Sequence, residues 1–197
     1  REGVESIKDF SAIAPNFYQP SYGSRMTSSI YVRGFGSRID QPVVGVNVDD
    51  VPYMNKNAYD FDFYDIRRIE LLRGPQGTLY GRNTSGGVMN ISTLSPMVWQ
   101  GARLSAEYSS AESYALRAAW YDRRGDSFGY SLAASFAHCG GFFTNVFNDE
   151  KCDRSDNAGA RLRLQWHPSL RWRVDATTSV GYTDEGGYAY RLYDEHS

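Results

Sequence analysis

The chain has 197 residues, enough for one or two domains, and its 41% hydrophobic content suffices for a core. A formal net charge of -2, with the basic residues scattered along the chain, leaves no electrostatic footprint for nucleic acid. No apolar run reaches the ~18 residues of a spanning helix and "REGVESIKDF" has no leader-type apolar segment, so any membrane crossing has to use strands.

The first element is a helix. In "SIKDFSAIAPN", Ser6 is a candidate N-cap with Asp9 three positions on, Ile7, Phe10 and Ile13 share a face, and Pro15 stops the run. Short strands follow in "SSIYVRGFG", "QPVVGVNVDDVPY", "RRIELL" and "GGVMNIST", separated by links that carry Gly and Pro. Residues 1–96 thus read as a small α+β unit with many charges among its strands, including Arg33, Arg73, Asp49 and Asp65.

Within this unit, "RIELLRGPQGTLYGRNTSGGVMNIST" invites a phosphate-loop reading, and the residues refuse it. A Walker loop needs Lys and then Ser or Thr after its last Gly, yet Gly77 is followed by Thr78 and Leu79, and Gly81 by Arg82 and Asn83. The G-x-G-x-x-G spacing of dinucleotide sites is absent too. The carboxylates of "YDFDFYD" could suggest a hard-metal site, but on an aromatic strand they suit surface or wall contacts better.

From residue 97 to 197 the grammar changes to strict alternation. Ala102, Leu104, Ala106 and Tyr108 alternate with Arg103, Ser105 and Glu107, the period of a strand with one oily face. The pattern recurs over Tyr114–Trp120, Phe128–Phe136, Ala160–Trp166 and Leu170–Ala176, giving five strands of one design. Large aromatics sit near the ends of the apolar face and Arg recurs on the other face, which suits a transmembrane barrel with a wet interior better than a soluble sandwich. The links agree: "DRRGDS" and "HPS" are short, as periplasmic turns are, whereas "HCGGFFTNVFNDEKCDRSD" is long, as an external loop is. "SSAES" is then an unusually small external loop.

Cys139 and Cys152 lie in that long link. They fit a disulfide closing a polar loop better than a metal site with His138 and His167, because Cys-x-x-Cys spacing is missing. The histidines His138, His167 and His196 form no Ser, His and Asp constellation, and neither an enzyme nor a resident cofactor is expected.

The order "IYVRGFG", "VNVDDVPY", "DIRRIELLRGPQGTLYGRNTSGGVMNIST" and then alternating strands resembles the plug and first barrel strands of TonB-dependent outer-membrane receptors, over essentially the whole chain. The resemblance implies an α+β plug domain over 1–96 followed, over 97–197, by antiparallel transmembrane β-barrel strands. In that family the plug fills a barrel of about 22 strands. Five strands cannot close such a barrel, so the chain is expected to be a piece of a longer receptor.

The family resemblance further implies a place in the bacterial outer membrane and active uptake of a scarce nutrient, most often a ferric siderophore, otherwise haem, cobalamin or a glycan. The implied partners are outer-membrane lipid, a ferric chelate or similar small molecule, sometimes a surface lipoprotein, and TonB with ExbB and ExbD. TonB would act through an N-terminal box, which does not appear ahead of Arg1. Arg33 of the RGF motif and Arg73 of the RGP motif match arginines that latch the plug to barrel glutamates. By analogy, substrate would meet outward loops around Tyr22 and Arg25, around Arg38 and Gln41, and at Tyr53, Met54 and Asn55 in "PYMNKNAY". A soluble periplasmic module built on the plug is the reading of a different class, and it leaves the aromatic outer faces unexplained.

Overall fold

The computed structural model describes residues 7–20, 29–37, 41–53, 65–145 and 149–186. The element order is α1 (Ile7–Ile13), β1 (Phe17–Tyr18), β2 (Tyr31–Val32), β3 (Val44–Val48), β4 (Val51–Tyr53), β5 (Ile66–Arg73), α2 (Gly77–Tyr80), β6 (Gly87–Thr93), and then β7 (Gly101–Ser109), β8 (Ser113–Arg124), β9 (Phe128–Cys139), β10 (Ser155–Ser169) and β11 (Trp172–Glu185). Among the described residues no helix is long and apolar enough to cross a membrane.

The first half is a small unit around a four-stranded sheet of order β4-β3-β6-β5, with β3 parallel to β6 and the other pairs antiparallel. Its centre is β3, buried along its whole length, which is why "VVGVNV" reads as a nearly continuous apolar run. Val44, Val46, Val48, Met89 and Ile91 pack with Ile7 of α1, Phe17 of β1 and Val32 of β2. The helix expected from "SIKDFSAI" forms and buries Ile7, but Ile13 is half exposed, so the shared face is shorter than the spacing predicts. Ser6 lies outside the described residues.

Two turns fix this unit. Val48 pairs directly with Val51, leaving Asp49 and Asp50 as a two-residue hairpin loop, both with positive φ (49° and 67°). That is the backbone of a type I′ turn, for which Asp is among the few tolerated residues without Gly's freedom. The Gly-rich segment after β5 folds on itself instead of opening a cradle. Gln76 N–H donates to the Thr84 carbonyl at 3.0 Å, the Thr84 hydroxyl donates to the Gly81 carbonyl at 2.6 Å, and Gly74 N–H donates to the Gly86 carbonyl at 3.2 Å. Gly87 has φ 151°, and a Cβ there would lie 2.6 Å from the Leu72 carbonyl oxygen, so no other residue fits without moving β5.

The second half is one antiparallel meander, β7-β8-β9-β10-β11, in sequence order. Its turns reproduce the expected asymmetry: β8–β9 and β10–β11 are joined by residues 125–127 and 170–171, β7–β8 by 110–112, and β9–β10 by the long segment 140–154. "HPS" is not a link. It continues β10 past a bulge between Trp166 and Ser169, and Leu170, expected to open the fifth strand, is fully exposed in the turn.

Alternation places the two faces as the period demands. Leu104, Ala118, Ala134, Ala160 and Val180 stand in register across all five strands on the outer face. Aromatics bound this band: Tyr108, Tyr114, Phe136 and Tyr182 toward the long loop, and Trp120, Phe128, Trp166 and Trp172 toward the short turns. Phe128 to Phe136 spans ~27 Å of extended strand, the scale of an outer-membrane apolar band once tilt is allowed for. The inner face carries small and polar groups instead, including Ala119, Ser131, Ala133, Ser135, Arg161, Arg163 and Gln165, all buried.

Candidate functional site

On β8, β9 and β10 the inner face of the meander is buried because the first unit sits on it, while β11 is exposed on both faces along most of its length. β6 ends at Thr93 and the turn through Leu94, Ser95 and Pro96 leads to β7, so the unit is tethered at the end of the sheet that carries the short turns. Gly129 of β9 makes the approach possible: a Cβ there would lie 2.8 Å from the Met97 sulfur and 3.3 Å from the Pro96 Cβ. Beside it, Leu94 packs with Ala119, Tyr121 and Ala133, and Trp99 meets Tyr121 edge-on at 5.1 Å.

The polar contacts of this interface converge on one strand. Arg161, Arg163 and Gln165 alternate along β10 and therefore project to the same side. Arg161 donates to the Asp65 carboxylate at 2.6 Å, with the two side chains 5% and 4% exposed. Arg163 donates to the Thr93 hydroxyl at 2.6 Å and lies 3.2 Å from the Asp49 carboxylate. Gln165 accepts from the Ser95 hydroxyl at 2.5 Å and donates to Asp175 of β11 at 2.6 Å. One barrel strand thus holds three separate segments of the first unit.

The turn residue Asp49 is the hub of the middle contact. It accepts from the backbone N–H of Thr93 at 2.8 Å and from the Thr93 hydroxyl at 2.6 Å while facing Arg163. The I′ turn that carries this carboxylate is therefore also what aims it at the wall. Burial pushes the Asp65 carboxyl above its ordinary range, against the opposing pull of Arg161 and with a smaller push from Asp49. Further inside, Asn47 donates to Asn90, which donates to the Tyr80 hydroxyl, both at 2.9 Å, tying α2 to β3 and β6.

The residues singled out from sequence fall elsewhere. Arg33, at φ 53°, and Arg73 are both exposed and lie outside the β10 contacts. Gln41 is exposed, and Tyr53, at the end of β4, is half-buried beside a small notch lined by Tyr80, Arg82 and Asn83. Tyr22, Arg25, Arg38, Met54 and Asn55 lie outside the described residues. The plug aspartate Asp65 is the last carboxylate of "YDFDFYD", and in the sequence Asp49 is one of many interleaved charges. A two-residue gap between "VNV" and "VPY" was the signal that could have singled it out.

Cys139 and Cys152 are free thiols, so the expected disulfide is not formed in this structure. The reason lies in the register. Cys139 ends β9 opposite Ser155, whereas Cys152 lies in the loop before β10, its thiol directed to the Phe143 carbonyl at 3.3 Å. Asp153 fastens the loop instead, accepting from the backbone N–H groups of Phe142 and Phe143 at 2.8–2.9 Å; burial pushes its carboxyl up, and these bonds together outweigh that and hold it below the usual range. His138 pairs with Asp156 at 2.6 Å near the long loop, while His167 N–H bonds to Ser127 at the opposite end, so the two cannot share a metal. Among the described residues no group of three or more His, Cys, Asp and Glu could hold a metal ion.

Comparison with known proteins agrees with this architecture. Residues 1–88 match the family model described as the TonB-dependent receptor plug domain. The chain is 35% identical over 114 residues to the pesticin receptor of Yersinia enterocolitica, covering 57% of this chain and 17% of that protein. It is 32% identical over 123 residues to the metal-pseudopaline receptor CntO of Pseudomonas aeruginosa, covering 60% and 15%. The structure of the ferric yersiniabactin uptake receptor FyuA of Yersinia pestis superposes with a TM-score of 0.80 at 26% identity, over 92% of this chain and 29% of that one. The chain spans less than a fifth of the length of these curated relatives. The first unit thus matches the TonB-dependent receptor plug domain, and the described chain has the fold seen in TonB-dependent outer-membrane receptors, a plug unit seated on five antiparallel strands.

Proposed function

We propose that the chain is part of an active importer of a scarce nutrient, with a ferric siderophore or similar iron chelate as its cargo and the TonB complex, with ExbB and ExbD, as its energy source. The observation that carries this reading is the seating of the plug on Arg161, Arg163 and Gln165. A folded domain pinned by buried polar contacts inside a lipid-facing sheet blocks passive flow, so passage through such a wall needs work. Among the described residues no strand pairs with the outer edges of β7 and β11, and lipid demands that such edges be paired, so further strands would close the barrel. The plug would end near Pro96, where the chain leaves β6 for the wall. Metal-chelate receptors among the relatives support the cargo class.

A soluble module built on the plug is the weaker reading, because it leaves Leu104, Trp120, Leu132 and Trp166 exposed to water on one continuous face. The test is uptake of radiolabelled iron chelates by iron-starved cells whose only such receptor is the full-length protein. Uptake that disappears when TonB is deleted supports the reading. Uptake of cobalamin, haem or a glycan in place of iron would keep the transport class and replace the cargo. Recovery of the full-length protein in the soluble fraction would end it.

A further inference from the structure

Three plug segments meet β10, and each is held differently. The segment entering β5 gives Asp65 to Arg161, the β3–β4 turn gives Asp49 to Arg163, and the exit turn gives Ser95 to Gln165. The exit turn is fastened twice more, by the close approach of Met97 to Gly129 and by Arg123 donating to the Met97 carbonyl at 3.4 Å. Gln165 is in turn backed by Asp175 of β11, which also pairs with Arg173 at 2.6 Å. By contrast α1, β1 and β2 join the plug sheet through apolar contacts of Ile7, Phe10, Phe17 and Val32.

These two kinds of contact respond differently to a displacement. Apolar contact is non-directional and survives sliding. A buried ion pair separated by a few ångströms leaves two charges in a poorly solvated seam, which is costly. Two such pairs lie side by side here, and a shift of the plug along β10 breaks both together.

We infer that the β10 wall is the permanent seat of the plug: Asp65–Arg161 and Asp49–Arg163 stay closed during transport, and the passage opens on the side of the plug away from β10. This rests on the transport reading above, and it makes Arg161 and Arg163 positioning residues that set where the gap forms.

The experiment uses the full-length receptor with Cys139→Ser and Cys152→Ser, so that the only thiols added are Asp65→Cys and Arg161→Cys. A short bis-methanethiosulfonate tether replaces the ion pair with a covalent link, and iron-chelate uptake is measured before and after. The expected result is that the tethered receptor keeps most of its uptake. A loss of about tenfold on tethering, reversed by reductant, overturns the inference. If the untethered pair is already inactive, Thr93→Cys, close in size to the native residue, serves instead. Its labelling by an impermeant maleimide should not accelerate when cells are energised and given substrate, and acceleration of about tenfold overturns the permanent seat. Absence of any uptake by the unmodified receptor overturns the transport reading, and this inference with it.

Discussion

Asp65 and Arg161 stand 96 positions apart in the chain and meet at 2.6 Å in the seam between plug and wall. Burial raises the Asp65 carboxyl although a guanidinium touches it, so desolvation outweighs the Coulomb gain at this carboxylate. The two partners should therefore respond unequally to substitution. Asp65→Asn takes this countercharge away from the buried Arg161 guanidinium, which cannot shed its own charge, and should cost about 3–5 kcal/mol of plug stability. Arg161→Met leaves a carboxyl that burial already drives toward its neutral form, so its loss should be clearly smaller. Denaturant unfolding of the full receptor, followed by a fluorophore in the plug, measures both, and equal losses would contradict the assignment.

The pH dependence follows from the same group. A carboxyl that burial raises above its ordinary range in the folded state binds its proton more tightly than the unfolded chain does. Its contribution to stability is thus greatest in acid and falls as pH rises through the folded value. Wild type should gain stability relative to Asp65→Asn as pH drops from neutral toward about 4. Paired unfolding curves across that window test the sign; a gain for the Asn variant instead would mean that Arg161 dominates.

The hairpin turn carries a separate prediction. Asp50 is exposed at φ 67°, where a β-branched side chain is strained. Asp50→Val should cost about 1–2 kcal/mol, while Asp50→Gly should be nearly neutral because Gly adopts this backbone freely. Because Asp49 is aimed by the same turn, Asp50→Val should also raise entry of a bulky glycopeptide antibiotic in cells carrying the receptor. Unchanged permeability would separate the turn from the Arg163 contact.

What the sequence reveals here depends on how local the signal is. Period-two alternation is written residue by residue, so the five wall strands and the inward set of Arg161, Arg163 and Gln165 were legible before any coordinates. The partners of those arginines were not, because alternation names a face and never what stands across from it. The resemblance assigns a latch to Arg33 and Arg73 toward glutamates of other wall strands, whereas the seam with β10 is held by Asp49 and Asp65 from far upstream. The cysteines failed for a related reason: composition shows that a loop needs fastening, but here the carboxylate of Asp153 does it through backbone N–H groups. Leu170 matched the alternation and still fell in a turn, since a bulge after Trp166 shifts the register beyond it.

The outer face gives the last prediction, and it discriminates between lipid and water as the environment of the meander. Ala134 of β9 is exposed inside the apolar band, in register with Leu104, Ala118 and Ala160, between Phe128 on its own strand and the girdle row of Tyr108, Tyr114 and His138. Ala133, its neighbour, is 2% exposed on the plug side. At the midplane of a bilayer a lipid-facing Arg costs about 2–4 kcal/mol, falling toward zero near the interfaces. Ala134→Arg should therefore destabilise folding of the full receptor into vesicles by about that much, and Tyr108→Arg, in the girdle row, by about 0–1 kcal/mol. On a water-exposed sheet the two substitutions would both lie within about 0.5 kcal/mol of wild type. A depth-dependent difference between these two outward positions can come only from a bilayer, and equal, small effects would remove the outer face of β7–β11 from the membrane.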